Sequence, residues 1–272
     1  MGNSVSDFFL MFYYYVKNTV RSWFQYKVDA CLRSLAVFLR EATNVVVIYL
    51  TLQTFNNING WNSEELLFLY SLLFLTYGIL IIFFTGLRDF PQIVNNGEFD
   101  RFILRPRGLL FQVIASNSDW FAAIGHGGLG IVLFLFSAGK VGISWNLGLV
   151  LYYLFVVVGG VLIQGAIFLI VASLSFYFIK TSNIKALFYD NARKFAGYPI
   201  SIYPRIIQIF MMYVVPFAFV NYFPVQFFLR KSDLDLYPRI MVYISPLVGV
   251  ICYLIAYMFW RYSFRQYKSS GN

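Results

Sequence analysis

The most charged patch in the first half of the chain is RDFPQIVNNGEFDRFILRPR, residues 88–107. Arg88, Arg101, Arg105 and Arg107 alternate there with Asp89, Glu98 and Asp100, around Gly97 and Pro106. Such a set does electrostatic docking rather than catalysis. Gly97 lets the backbone turn. Glu98 then opens a short helix, where the helix dipole favours an acid, and Pro106 ends it. Alternating signs on a short helix suit a groove on a soluble partner. The same residues also suit an ordinary solvated loop whose charges only set topology, and physics alone weighs the two equally.

Other reactive side chains are few. Arg40 and Glu41 fall inside an apolar stretch, where ionisable groups normally face the protein interior or water. They line the mouth of a pathway, or form a structural ion pair with another helix, or reach for the interface. As sequence neighbours they point different ways and are poor partners for each other. The only histidine, His126, sits in GHGGLG and has no second ligand nearby in sequence. It reads as a packing or hydrogen-bonding residue, with the glycines allowing close helix approach. Cys31 and Cys252 lack metal-ligand spacing and read as small packing residues. No phosphate-binding G-x-x-x-x-G-K-[ST] loop, H-E-x-x-H or G-x-S-x-G is present, so the chain is expected neither to hydrolyse ATP nor to be an enzyme. A proton- or sodium-coupled transporter needs carboxylates near midplane, and the spans offer almost none.

The elements that position these residues are membrane helices. Of the 272 residues, 60% are hydrophobic and 12% charged, with 31 Phe and 21 Tyr. Several charge-free runs have the roughly 20-residue length that crosses hydrocarbon as a helix. The short alternating segments of a membrane β-barrel are missing. The net charge of +9 does not mark a nucleic-acid binder, because the basic residues are scattered between apolar runs.

An all-α polytopic fold follows, one membrane domain over residues 1–272 without soluble domain or linker. MGNSVSDFFL lacks the basic start of a signal peptide. Residues 6–27 read as an amphipathic helix lying in the membrane interface, with Phe9, Phe12, Val16, Val20 and Trp23 on one face and Lys17 and Arg21 on another. Six spans are expected at about 34–54, 66–86, 119–138, 147–179, 206–223 and 240–260. Pro216 interrupts the fifth. A second interfacial helix is expected over 180–204, with Ile184, Leu187, Phe188 and Phe195 on its apolar face and Pro199 and Pro204 ending it. A small outer segment precedes the sixth span. With the N-terminus in the cytoplasm, the inner parts hold 16 Lys and Arg and the outer loops four. That asymmetry fits the positive-inside rule and puts 88–107 and both termini in the cytoplasm of a cell-membrane protein.

NNGEFDRFILRPRGLLFQ resembles the segment after the second span in permeases of type-2 ABC exporters, where a Gly-Glu-x-Asp-x-x-Leu-x-Arg-Pro-like run forms the coupling helix. YPISIYPRIIQIFMMYVVPFAFVNYFP is similar to the Pro-rich fifth span of the branch that pairs with drug-resistance-type ATPases. The resemblance covers nearly the whole chain. It implies export, a separate ABC ATPase subunit that binds the ATP, and a second permease subunit, identical or paralogous. It places ATPase coupling on Pro91, Asn96, Gly97, Glu98, Phe99, Asp100, Arg101, Arg105 and Pro106. A pathway between subunits would be lined by the first, second and fifth spans, with Arg40, Glu41 and Pro216 as candidates. Membrane lipid is a further partner, nucleic acid is not, and no cofactor is expected in this chain. A non-transporting scaffold or sensor that uses the same basic loops to bind a soluble partner is the alternative, and a membrane-embedded enzyme a distant third.

Overall fold

The computed structural model describes Tyr14, Lys17 and residues 27–55, 57–106, 108–178, 181–231, 233 and 237–267. Apart from Tyr14 and Lys17, which are helical, and Lys27, the expected interfacial helix over 6–27 lies outside the described residues. Its aromatic and basic faces are therefore not placed.

The described chain is helical. In order come α1 (Lys27–Phe55), α2 (Ser63–Asn95), α3 (Asp100–Ile103), α4 (Leu109–Ser116), α5 (Trp120–Ala138) and α6 (Leu147–Leu174). There follow α7 (Ser182–Lys185), α8 (Asn191–Phe195), α9 (Arg205–Ile209), α10 (Tyr222–Leu229) and α11 (Ser245–Phe264). Single π turns at Ala186–Asp190 and Phe210–Val214 and short 3₁₀ turns join the later ones. Among the described residues, four helices are long and apolar enough to cross a membrane: α2, α5, α6 and α11. A fifth crossing would count only if the bent pair Arg205–Val214 and Phe217–Leu229 were one span. α1 has the length, at 29 residues, but is not among the four.

α2 and α6 form the centre. Both are buried over 72% of their most apolar window, against 22% for α11. α2 starts where its sequence says it should: Asn62 accepts from the Glu65 amide, and the Glu65 side chain accepts from the Asn62 amide. This reciprocal box satisfies two orphan donors of the first turn. Close helix crossing depends on glycine at Gly159 and Gly249. A Cβ on Gly249 would stand 2.4 Å from the Gly159 carbonyl oxygen, so α6 and α11 meet backbone to backbone.

Two ends of the bundle can be told apart by their contacts. At one, Trp61, Glu65, Ser201, Tyr222, Lys231 and Asp233 are tied together. At the other, Phe90, Phe99, Phe176, Trp260 and Tyr267 pack ring on ring.

These ends correct two expectations. The 180–204 stretch is no interfacial helix. It leaves α6 at the Phe99 end and reaches Ser201 at the Trp61 end, running antiparallel to α2. Along the way Tyr189 packs near Tyr77, Arg193 lies over Tyr77 and Phe74, and Gly197 abuts Tyr70. Its buried side is Tyr189, Ala192 and Ala196, not the expected apolar face of Ile184, Leu187, Phe188 and Phe195. The 206–223 stretch, in turn, does not traverse. It starts from the Trp61 end, bends by 75° around Val215 and Pro216 near mid-bundle, and α10 leads to Lys231 and Asp233, which are bonded at that same end. Phe217 beside Tyr189 marks the depth of its tip.

Smaller differences follow local rules. α6 ends at Leu174, five residues before the expected boundary, because Ser175 caps it and Phe176 turns into the ring cluster. α2 runs nine residues beyond the expected Gly86, through Pro91 to Asn95. α11 starts at Ser245, after a 3₁₀ turn over Arg239–Val242, with Pro246 in its first turn, where the missing amide costs nothing.

Candidate functional site

The segment after α2 is a turn fixed by its sequence. The Glu98 amide donates to the Ile93 carbonyl (3.0 Å) and the Gly97 amide to the Val94 carbonyl (3.1 Å). That paired pattern closes the helix around a left-handed residue, and Gly97 at φ +72° supplies it. The helix opens at Asp100, with Glu98 and Phe99 in the turn before it, and spans one turn only. It ends at Ile103, ahead of Arg105, whose helical conformation Pro106 disfavours.

Phe99 nails this turn to the bundle. It is fully buried, with ring centroids 5.1 Å from Phe90, 5.5 Å from Phe176 and 4.9 Å from Tyr267. The Tyr267 hydroxyl donates to Asp100 Oδ1 at 3.0 Å, which ties the chain after α11 to the same turn. Burial first, then the hydrogen bond and charge of Asp100, raise the Tyr267 pKa above its ordinary value. The Gln112 amide donates to the Phe102 carbonyl at 3.1 Å, holding α4 beneath. Asp89 is fixed from two sides, by Arg88 (2.8 Å) and by the Asn117 amide (2.7 Å).

On this aromatic bed stands an exposed patch. Asn96, Glu98, Arg101, Ile103, Leu104, Arg105 and Pro106 are all exposed, Leu104 to 84%. Asn96 donates weakly to Glu98 (3.4 Å) and Arg105 lies 5.6 Å from the Phe102 ring. Arg101 and Arg105 make no ion pair among the described residues. A bare leucine flanked by guanidinium groups suits an apolar recess with an acidic rim. Of the residues that sequence assigns to coupling, Asn96 to Pro106 gather here. Pro91 lies apart, inside the last turns of α2. Phe99 supports from below rather than facing outward. Arg107 lies outside the described residues.

The pathway candidates separate. Arg40 and Glu41 pair with each other at 2.9 Å, contrary to their expected divergence. Adjacent helical residues start about 100° apart, but the long arginine side chain folds back across that angle. Arg40 is 65% exposed, so the pair contributes at most about 1 kcal/mol. Pro216 stands at the reversal before Phe217, and no hydrogen bond or ion pair among the described residues links it to the Arg40–Glu41 pair.

The interior also holds polar groups that sequence reading passed over. Tyr189 donates to Gln164 Oε1 (2.8 Å), and the Gln164 amide donates to Thr76 Oγ1 (3.0 Å) and the Gly160 carbonyl (3.2 Å). Gln164 is the single amide side chain in α6, and that alone signals a partner, since an unpaired amide in apolar surroundings costs several kcal/mol. Arg193 has its guanidinium 3.8 Å from the Tyr77 ring centroid and no ion pair among the described residues. His126 packs on the same Tyr77, edge to face at 4.7 Å, and stacks on Phe74. It is a buried packing residue of α5, as read from sequence. No cluster of three or more metal-binding side chains occurs among the described residues.

A family model described as "ABC-2 family transporter protein" matches residues 38–271. Neither the curated proteins nor the solved structures contain a match to the chain.

Proposed function

Because the chain belongs to the ABC-2 family of transporter proteins, we propose that it is the permease subunit of an ATP-driven exporter and that residues 96–106 receive the force of a separate ATPase. Family membership and the apolar helices make it a multi-pass membrane protein of the transporter class. The observation that carries the finer reading is the exposed turn at 96–106, capped by Gly97 and seated by Phe99. A solvated topology loop has no need of a buried aromatic anchor, whereas a docking element must hold its shape under load.

Closure of the ATPase would push this turn. Its ring bed includes Phe90 of α2, Trp260 of α11 and Phe176 beyond α6, so the push reaches three long helices at once. Nucleotide binding would thereby bias a two-state arrangement of the membrane helices. Two permease subunits, identical or paralogous, would enclose the pathway. The branch that pairs with drug-resistance-type ATPases remains the reading that the 95–112 and 198–224 runs suggest.

Six crossings fit this function, with 181–201 as the fifth and 205–229 as a hairpin dipping from the outer side. Charge still supports termini inside. Four Lys and Arg in the N-terminal region, four in 88–107 and three near the C-terminus share one side. Lys140, Arg205, Arg230, Lys231 and Arg239 take the other.

The test is the double variant Glu98→Lys with Asp100→Lys, co-expressed with the ATPase of an adjacent reading frame. The folded variant should lose ATPase co-purification and export together. Export and ATPase binding at wild-type levels would overturn the coupling assignment, and co-purification of a partner without nucleotide chemistry would favour the scaffold instead.

A further inference from the structure

A cavity of about 770 Å³ lies between α4 and α11, with Phe83 of α2 at its back. Its walls are apolar: Leu110, Phe111, Ile114, Trp260 and Phe264. Arg261 and Arg265 line it as well, four residues apart on one face of the end of α11. Both are exposed, and neither makes an ion pair among the described residues. We propose that this groove holds an anionic phospholipid, with an acyl chain along the apolar wall and the phosphate on Arg261 and Arg265.

Three observations converge on that occupant. The volume sits within the roughly 300–1,000 Å³ of small-molecule sites. Two membrane-type helices, α2 and α11, bound the groove, so hydrocarbon chains are its ordinary surroundings. Two uncompensated cations beside an apolar slot match a ligand with a long apolar body and a negative head, as basic pockets between membrane helices do for acidic lipids. Charge disfavours protein occupants. The N-terminal segment carries Lys17, Arg21 and Lys27, of the same sign as the groove. A second copy seated by the same face would bring its own arginine pair against this one, a like-charge contact across a two-fold axis.

The site abuts the docking turn. α4, one wall of the groove, is hydrogen-bonded to the Phe102 carbonyl through Gln112. A bound lipid would therefore be linked to the turn through α4 and this one hydrogen bond.

The experiment uses the full chain purified in neutral detergent and offered equal phosphatidylglycerol and phosphatidylcholine, with retained lipid counted by native mass spectrometry. Wild type should retain phosphatidylglycerol over phosphatidylcholine by about tenfold, the ratio that one charge-assisted contact supplies. Arg261→Gln with Arg265→Gln should bring the ratio to parity, while the double lysine variant restores part of it. Arg101→Gln with Arg105→Gln, at the same end but outside the groove, should leave it unchanged. In bilayers, brominated phosphatidylglycerol should quench wild-type fluorescence more than it quenches Trp260→Phe. No preference in wild type, an unchanged preference in the Arg261/Arg265 variant, or an equal loss in the Arg101/Arg105 variant would overturn the site. None of these readings requires an ATPase, so the result stands apart from the transport assignment.

Discussion

The two ends of the bundle are held together by different physics. At the Trp61 end a single carboxylate, Asp233, accepts from Trp61 Nε1 (2.7 Å), Ser201 Oγ (2.7 Å), Tyr222 Oη (2.6 Å) and the Gln226 amide. Lys231 adds an ion pair to Glu65 and a hydrogen bond to the Gly60 carbonyl. These bonds are directional, and a displacement of about 1 Å breaks them. At the Phe99 end most contacts are ring on ring, at centroid distances from 4.9 to 5.5 Å, with the Tyr267–Asp100 and Gln112–Phe102 hydrogen bonds at their edge. Aromatic packing tolerates sliding better than a hydrogen bond does, because its larger part, burial of apolar area, is non-directional and only the smaller ring-to-ring part depends on orientation. One end fixes register, and the other can be re-packed without losing its stabilisation.

Substitutions can break the contrast or sharpen it. The largest effect is expected at Phe99. Phe99→Ala should destabilise the purified chain by about 4 kcal/mol in thermal unfolding, whereas Phe99→Leu should cost about 1 kcal/mol. If leucine costs as much as alanine, the ring end is as exacting as the other, and the contrast fails. Next comes Asp233→Asn, nearly isosteric, which puts a donor where donors already converge. It should cost about 2 kcal/mol. A neutral outcome would show that the knot is not what sets the register.

Lys231→Met should cost about 1 kcal/mol, since the pair with Glu65 is only partly buried. The smallest effect belongs to Tyr267. Its pKa is raised in the folded chain, so its contribution is complete below the unfolded value of about 10 and is lost as pH climbs through the folded value. Tyr267→Phe should therefore flatten the alkaline fall of the unfolding temperature. An unchanged alkaline limb would mean that the Asp100 contact does not matter.

Much of the architecture is legible in the sequence because hydrocarbon imposes it. α5 starts and stops within a residue of its apolar run and α6 begins at Leu147, as expected, whereas α2 opens three residues before the expected 66, at the Asn62–Glu65 box. The traverse from 181 to 201 is not legible. Lys185, Asp190, Arg193 and Lys194 read as water-facing charges, yet Lys185 pairs with Asp190 at 3.5 Å and Arg193 lies on Tyr77. A window of hydropathy counts each of these charges in full, whereas the pairing and ring cover that lower their cost show only in the fold. The reversal at Pro216 fails for the opposite reason: its flanks are apolar enough to be one span, and only the partners of Ser201 and Lys231 reveal that it returns. At the candidate site, the turn at Gly97 and the exposed charges were readable. The burial of Phe99 was not, since nothing local distinguishes a core phenylalanine from one that meets a partner.

α2 carries one more implication. Its 33 helical residues make an unbroken rod about 50 Å long. Glu65, near the start of that rod, is bonded to Lys231, while the far tip bears the Gly97 turn on a slippery aromatic seat. Such a rod is a lever with its fulcrum at one end: pivoting through roughly 5° sweeps the tip by about 4 Å, given a length of 1.5 Å per residue. On the proposed coupling, a stroke of that size at residues 96–106 becomes a gentler tilt at Thr76, in the first half of the helix.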